Sequence, residues 1–213
     1  YQKALHTPCY TKLSKGESIT ASILKDVHWK ETEKIITDQK KLYEELCVSR
    51  QDIPATSGCA IEYYEDSLLP LARLYNLERE LDQALQEKIW LKSGGFLVIQ
   101  QTEAFVAIDV NTGKHSSKKE AEENYKQINR EAALEIARQL RLRNLSGMIL
   151  VDFINMKNTN DQSELLQYMG SLVRSDPMQT VVVDVTALGI MEITRKKSAK
   201  TLAEQLLQLK KGE

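Results

Sequence analysis

Two acidic residues each end an apolar run. Asp109 follows "FVAI" (105–108), and Asp152 follows "MILV" (148–151). Both runs predict central strands, and the sequence between them predicts a helix. If the two strands are neighbours, their ends lie about 5 Å apart, and carboxylates that close repel each other unless a cation or a proton lies between them. Mg²⁺ suits such a pair because it takes one or two protein carboxylates, keeps several waters and leaves room for phosphate oxygens.

Asn111 adds an amide to this pair. It follows Asp109 by two residues, so an extended backbone turns both side chains to the same side. The amide could orient a carboxylate or donate to a phosphate. A purely structural interpretation stays open, because Asp is common at strand ends and helix caps and Asn is common in turns such as "NTG". The residues alone therefore indicate a candidate metal site at Asp109 and Asp152 without deciding it.

Periodicity predicts the elements that must position these residues. In the first part it predicts strands at 9–13, 34–38 and 59–64 and helices at 17–26, 39–50 and 66–87. In the second part it predicts two or three strands within 88–110, strands at 147–153, 180–186 and 189–194, and helices at 119–143, 161–174 and 199–211. Strands that alternate with helices are typical of an α/β fold. We expect a layered mixed sheet flanked by helices in a unit at 88–213, and a smaller α/β unit at 1–87.

Composition excludes several classes of protein. The 213 residues carry a formal net charge of −1, so no general basic field indicates a nucleic-acid partner, although local charge can still do so. Three scattered cysteines, Cys9, Cys47 and Cys59, fit neither a disulfide framework nor a zinc site and are typical of reduced cytosolic thiols. No apolar run is long enough to cross a membrane. We therefore expect a cytoplasmic protein without a membrane span.

Three stretches together resemble the catalytic core of the bacterial ribonuclease E/G family. They are "WLKSGGFLVIQQTEAFVAIDVNTGK", "INREAALEIARQLRLRNLSGMILVDFINM" and "ALGIMEITRKK". The resemblance is strong over about 60–197 and weaker towards the N-terminus. It implies a Mg²⁺-dependent endoribonuclease that cuts single-stranded RNA in RNA processing and decay and leaves 5′-phosphate and 3′-hydroxyl ends. It assigns metal binding to Asp109 and Asp152 and a supporting catalytic role to Asn111.

The resemblance also implies a division into subdomains. Residues from about 88 onwards resemble the family's deoxyribonuclease-I-like catalytic subdomain, and the preceding residues resemble part of its ribonuclease-H-like subdomain. The family's OB-type RNA-binding domain and 5′-end pocket have no counterpart in these residues, and the chain begins with Tyr1, so we expect a fragment or a processed chain. No cysteine follows Cys59, so the family's CPxC zinc motif is missing. We expect no zinc-linked assembly, and a homo-oligomer stays possible.

Basic residues near these motifs are candidates for RNA contact. They are Lys114, Arg141, Arg143, Arg195, Lys196 and Lys197. Arginines at the end of a helix are also stabilised by the helix dipole, which is a sufficient structural reason for Arg141 and Arg143, and Lys114 fits an ordinary loop residue equally well. His115 fits a solvated loop residue better than a catalytic base, and Trp90 fits a packing side chain better than a surface on which bases stack.

Two other functions remain alternatives. One is a non-catalytic RNA-binding or assembly module of the same family. The other is a metal-dependent phosphoesterase that acts on a different phosphodiester.

Overall fold

The chain divides into two compact units, Tyr1–Glu78 and Arg79–Glu213. The computed structural model describes Thr20, Leu24 and residues 32–52, 58–113 and 121–211. The predicted strand at 9–13 and most of the predicted helix at 17–26 lie outside these ranges. The division falls earlier in the chain than the predicted boundary between residues 87 and 88.

The first unit contains a small parallel sheet. Strand β1 (Lys34–Thr37) pairs in parallel with β2 (Ala60–Tyr63). Helix α1 (Lys40–Val48) and a 3-10 turn (Ser49–Asp52) follow β1, and Leu46 of this helix is buried. These two strands and this helix confirm the strands predicted at 34–38 and 59–64 and the helix predicted at 39–50.

The single helix predicted at 66–87 is wrong. The structure has two short helices instead, α2 (Leu71–Leu74) and α3 (Leu77–Ala84). Asn76 separates them with a positive φ of 51°, a left-handed conformation that asparagine tolerates better than most residues. Before α2, the Asp66 carboxylate accepts hydrogen bonds from the backbone N–H groups of Leu68 and Leu69. Such local bonds compete with the helix, and the leucine spacing carries no sign of them.

The second unit is built on a six-stranded mixed sheet with the strand order β3-β4-β5-β6-β8-β7. Only β5 and β6 pair in parallel, and every other neighbouring pair is antiparallel. The strands are β3 (Lys88–Trp90), β4 (Phe96–Gln101), β5 (Phe105–Asn111), β6 (Gly147–Asp152), β7 (Thr180–Val185) and β8 (Ile190–Arg195). The helices are α4 (Ala121–Leu142), α5 (Thr159–Val173) and α6 (Leu202–Lys211). This arrangement confirms the predicted fold class.

Helix α4 explains why β5 and β6 are parallel, because parallel neighbours need a long crossover connection. Its predicted apolar stripe is largely confirmed. Ile128, Ala132, Ile136 and Leu140 are all buried in one cluster with alternate strand residues, including Ile108 and Val151. Burial of each large aliphatic side chain contributes about 1.5–3 kcal/mol to the free energy of unfolding, so this helix–sheet contact fixes where β5 and β6 end.

The opposite side chains of the strands lie on a face that is only partly covered. We call it the open face. Its members are exposed or half-exposed, and the strand registers place them side by side: Lys88, Trp90, Phe96, Val98, Gln100, Asp109, Asn111, Met148, Asp152, Val181, Glu192 and Thr194.

Among the residues that the structure describes, no helix combines the length and the apolar character that crossing a membrane requires.

Candidate active site at the end of two parallel strands

Asp109 and Asp152 are direct partners in the register of β5 and β6. Residues paired in this way lie about 4.8 Å apart across the ladder, and their side chains point to the same face of the sheet. Both side chains are exposed. The buried neighbours Ile108 and Val151 point the other way, into the core. The folded chain therefore brings together two carboxylates that are more than forty residues apart in sequence.

Asn111 acts directly on the first carboxylate. Its Nδ2 donates a hydrogen bond to Oδ2 of Asp109 over 2.7 Å. An amide that occupies one oxygen restricts the rotation of the carboxylate and leaves the other oxygen available to a ligand. The predicted juxtaposition of these two side chains is thus present in the structure.

Glycines allow the end of β5 to lie close to the turn between β3 and β4. A Cβ at Gly95 would come within 2.8 Å of both the Asn111 carbonyl oxygen and Cγ2 of Ile128. Gly113 has a φ of +66°, and a Cβ there would collide with the Gly94 carbonyl. The backbone of the candidate site therefore passes too close to its neighbours for any side chain at these positions.

Helix α4 anchors both sides of the candidate site. On the β4 side, the Glu131 carboxylate accepts hydrogen bonds from the N–H groups of Lys92 and Ser93, at 2.5 and 3.0 Å. Burial alone would raise the pKa of Glu131, but these backbone hydrogen bonds help to lower it overall. On the β6 side, buried Asn129 exchanges two hydrogen bonds with the backbone of Ile154, two residues after Asp152. One helix thus fixes the segments next to both acids.

The two paired carboxylates fit the donor set that magnesium takes. Within the described ranges, no cluster of three or more histidine, cysteine, aspartate or glutamate side chains could hold a metal ion. Zinc sites normally use three or four such ligands, whereas Mg²⁺ binds through one or two carboxylates and keeps its waters. Two exposed carboxylates in register meet that smaller requirement.

The basic candidates that the structure describes lie away from the two acids. Gly147, where β6 begins, pairs with Arg195, whereas Asp152 at the other end of β6 pairs with Ile190. Five residues of strand span roughly 16 Å. Arg195 therefore lies at the far end of the sheet, with the exposed Lys196 and Lys197 directly after it. Lys114 and His115 lie outside the described residues.

Two of the predicted RNA contacts are buried structural arginines. Arg195 forms an ion pair with Asp176 at 2.7 Å, and each side chain is only 3% exposed. It also donates to Oδ1 of Asn144 and to the Leu145 carbonyl. Arg143 is 7% exposed.

Arg143 is likewise hydrogen-bonded inside the fold. It donates to Oε1 of Gln139 and to the Gln86 carbonyl, both at 2.6 Å. Burial lowers the pKa of its guanidinium. Because the side chains of Arg143 and Arg195 are out of reach of a phosphate, only Arg141, Lys196 and Lys197 remain exposed among the predicted contacts that the structure describes.

Two side chains on the open face, Glu192 and Trp90, were not among the site residues predicted from the sequence. Glu192 lies on β8, beside Leu150 of β6, and so one diagonal step from Asp152. Trp90, expected to pack in the core, is instead 64% exposed. Strand alternation carried the signal for both. Lys88 and Trp90 flank the more buried Ile89, and Glu192 lies between the buried Met191 and Ile193.

Comparison with known proteins gives a consistent answer. The model of the Ribonuclease E/G family matches residues 1–198. Ribonuclease G of Escherichia coli K12 is 34% identical over 189 residues, which is 89% of this chain and 38% of that protein. Ribonuclease E of Nostoc sp. PCC 7120 is 31% identical over 206 residues, or 95% of this chain and 30% of that protein.

A third relative, Ribonuclease G of Haemophilus influenzae, is 34% identical over 200 residues, which is 93% of this chain and 40% of that protein. The chain thus spans well under half the length of these relatives. The match nevertheless covers the two strands that carry the acids, the helix between them and most of the remaining sequence. On this evidence the chain belongs to the Ribonuclease E/G family.

Proposed function

We propose that this chain is the Mg²⁺-dependent endoribonuclease core of its protein and cleaves single-stranded RNA. The products would carry 5′-phosphate and 3′-hydroxyl ends. The observation that carries the proposal is the direct pairing of Asp109 with Asp152 on one exposed edge of the sheet. Family membership and the names of the relatives support RNA as the substrate class.

The two aspartates would hold the ion. When bound, Mg²⁺ would offset the charge that develops on the scissile phosphate and lower the pKa of a water molecule. The chain itself contributes position. Neighbouring strands fix the spacing of the carboxylates, and the Asn111 amide fixes the orientation of one of them. Helix α4 keeps both strand ends in place through Glu131 and Asn129.

The exposed basic residues would contribute at a distance. Arg141, Lys196 and Lys197 lie towards the other end of the sheet, so they would contact phosphates remote from the cleaved bond. Contacts of this kind position RNA without selecting its sequence. Arg143 and Arg195 have no place among them, because their donors are occupied inside the fold. Lys114 stays a proposed contact on sequence grounds alone.

The proposal is tested by replacing each acid. Asp109→Ala and Asp152→Ala should each remove cleavage of a short single-stranded RNA, since one carboxylate holds the ion poorly. EDTA should stop cleavage by the unmodified chain, and added Mg²⁺ should restore it. Gel analysis of the products, before and after phosphatase treatment, identifies the end groups. An exposed aspartate two strands away provides the control, and Asp184→Ala should cleave normally.

Several results would contradict the proposal. Cleavage that survives in both acid variants would separate the activity from this site. Cleavage of DNA as fast as RNA would favour a general phosphoesterase. RNA binding without any cleavage under all metal conditions would favour a non-catalytic module. Circular dichroism of each variant distinguishes loss of chemistry from loss of fold.

A further inference from the structure

Trp90 and Phe96 form an aromatic surface on the open face. Their ring centroids are 5.2 Å apart and the ring planes are tilted by 57°. The ammonium of Lys88 lies 4.2 Å from the Trp90 centroid and 3.7 Å from the Phe96 centroid. Trp90 is 64% exposed although Phe96 supports it from one side. We call these three residues, Lys88, Trp90 and Phe96, the aromatic platform.

The aromatic platform is continuous with the candidate active site. Trp90 pairs with Phe96 in the register of β3 and β4, and Phe96 pairs with Asn111 in the register of β4 and β5. The side chains of Trp90, Phe96 and Asn111 therefore form one row across the sheet on the same face. Two strand spacings separate Trp90 from Asn111, which is about 10 Å. A nucleotide whose phosphate lies at the two acids has neighbours within reach of this row.

The chemistry of the aromatic platform matches a nucleobase. An exposed indole offers a large flat surface, and bases of single-stranded RNA stack on such rings with little regard to their identity. The Lys88 ammonium beside the rings places a positive charge where the backbone of a stacked nucleotide would run. A supporting ring at 5.2 Å limits the movement of the indole before binding. The row therefore offers a base-stacking surface and a phosphate contact together.

We infer that Trp90, supported by Phe96 and Lys88, stacks on one base of the RNA next to the cleaved bond and so sets the position of the strand. The inference rests on the proposed function, because it needs RNA at Asp109 and Asp152. It adds a positioning residue that is not a metal ligand. Affinity should depend on whether a base is present at this position and little on which base it is.

The test measures one base at a time. Fluorescein-labelled single-stranded oligoribonucleotides, each with one abasic position, are titrated by anisotropy against the full chain with Ca²⁺ in place of Mg²⁺, so that a hard cation is still available to the two acids. A gel of each sample after the titration checks that the RNA is intact. Removal of the stacked base should weaken binding about 5- to 150-fold at one position only, as the energy of base–aromatic stacking implies. In Trp90→Ala, the intact RNA should bind correspondingly more weakly, and the penalty at that abasic position should disappear.

Matched variants make the result specific. Trp90→Phe keeps a ring and should retain most of the position-specific penalty. Val181→Ala shortens another exposed apolar side chain at the opposite edge of the open face and should leave the abasic profile unchanged. Lys88→Gln should reduce affinity for every oligonucleotide alike and make its salt dependence shallower.

The possible failures differ from one another. If the unmodified chain cleaves RNA with Mg²⁺ but Trp90→Ala keeps the full abasic profile, the platform is overturned and the nuclease stands. Weaker binding of all oligonucleotides by Trp90→Ala, with the penalty intact, overturns it as well. A change of oligomeric state by light scattering, with unchanged RNA binding, shows that the indole contacts a second copy instead. An unmodified chain that neither binds nor cleaves RNA overturns the inference and the proposed function together.

Discussion

At the scale of single residues, the candidate site depends on how one carboxylate is held. Two carboxylates on directly paired residues of neighbouring strands repel each other unless a cation or a proton lies between them. The Asn111 amide donates to Oδ2 of Asp109. Because this amide is uncharged, it orients the carboxylate without neutralising it.

Replacement of this amide should weaken the metal site without removing it. Asn111→Ala frees the Asp109 carboxylate to rotate, and side chains that orient metal ligands typically contribute about 10- to 100-fold in affinity or activity. We expect a rise of that order in the Mg²⁺ concentration that gives half-maximal RNA cleavage. Gln100→Ala removes an exposed amide from the neighbouring strand and should leave the magnesium titration unchanged. Identical titrations for Asn111→Ala and the unmodified chain would show that the observed hydrogen bond is irrelevant to metal binding.

At the scale of elements, one helix and one pair of strands make the site. Helix α4 forces β5 and β6 to run in parallel, so both strands end at the same edge. The turn between β3 and β4 closes over that edge, held by Glu131 on one side and by the close approach of Gly95 to Asn111 on the other. The position of Asn111 is therefore set by backbone contacts as well as by its own side chain.

A single added methyl group should disturb this packing. Gly95→Ala places a Cβ within 2.8 Å of the Asn111 carbonyl and of Ile128, so something must shift. Overpacking of this kind costs about 1–3 kcal/mol in the free energy of unfolding, and displacement of Asn111 should also slow RNA cleavage. Urea unfolding and initial cleavage rates measure the two effects.

Gly170→Ala is the matched control for that change. Gly170 lies within α5, and a Cβ there would meet nothing within 4 Å. Because alanine is a better helix former than glycine, this variant should be more stable by up to about 1 kcal/mol and should cleave normally. If Gly95→Ala were as stable as Gly170→Ala and cleaved RNA at the same rate, the close contact at the β3–β4 turn would not be needed for stability or for activity.

At the scale of the whole second unit, a buried ion pair joins segments from three places in the sequence. Asp176 accepts two hydrogen bonds from Arg195, one from the Met178 backbone and one from Thr180. Arg195 in turn binds Asn144 and the Leu145 carbonyl. Burial alone would raise the pKa of Asp176, but the bonds from Arg195 and its other partners lower it overall, below the ordinary 3.8.

This ion pair should make stability depend on acid. A carboxyl whose pKa is lower in the folded chain stabilises the fold at pH values above 3.8, and that contribution is lost as the pH falls through the folded pKa. Asp176→Asn leaves Arg195 buried without its counter-charge, so we expect a loss of about 3–5 kcal/mol in the free energy of unfolding at pH 7. The variant should also lose less stability on acidification than the unmodified chain. Urea unfolding between pH 7 and the acid limit of folding measures both effects.

The exposed Asp184→Asn is the control for the ion pair. It removes an exposed carboxylate on β7 and leaves no buried charge without a counter-charge. The free energy of unfolding at pH 7 should therefore hardly change. Equal stability of Asp176→Asn and Asp184→Asn at pH 7 would contradict the structural role assigned to Arg195.

The sequence by itself indicated most of the secondary-structure elements of the second unit and the two candidate acids, Asp109 and Asp152. Periods of two and of about three and a half residues predicted the strands at 147–153, 180–186 and 189–194 and the apolar stripe of α4, because burial on one face leaves a repeating pattern. Within 88–110 they predicted two or three strands, and the structure has three. The position of Asp109 and Asp152 at strand ends, with a helix between the strands, predicted that they meet if the two strands are neighbours, and the register of β5 and β6 supplies that condition. The motifs around them indicated the family before any geometry was known.

Only the tertiary structure decided which side chains are free. Arg143 and Arg195 are basic residues beside a motif. Nothing in their local sequence shows that Arg143 donates to the Gln86 carbonyl and that Arg195 forms a buried ion pair with Asp176. Trp90 is exposed because it lies on a short edge strand with its side chain on the open face of the sheet. The residue type alone does not distinguish it from an aromatic residue of the core. The burial of the two arginines depends on partners that come from distant parts of the chain, and local periodicity does not contain that information.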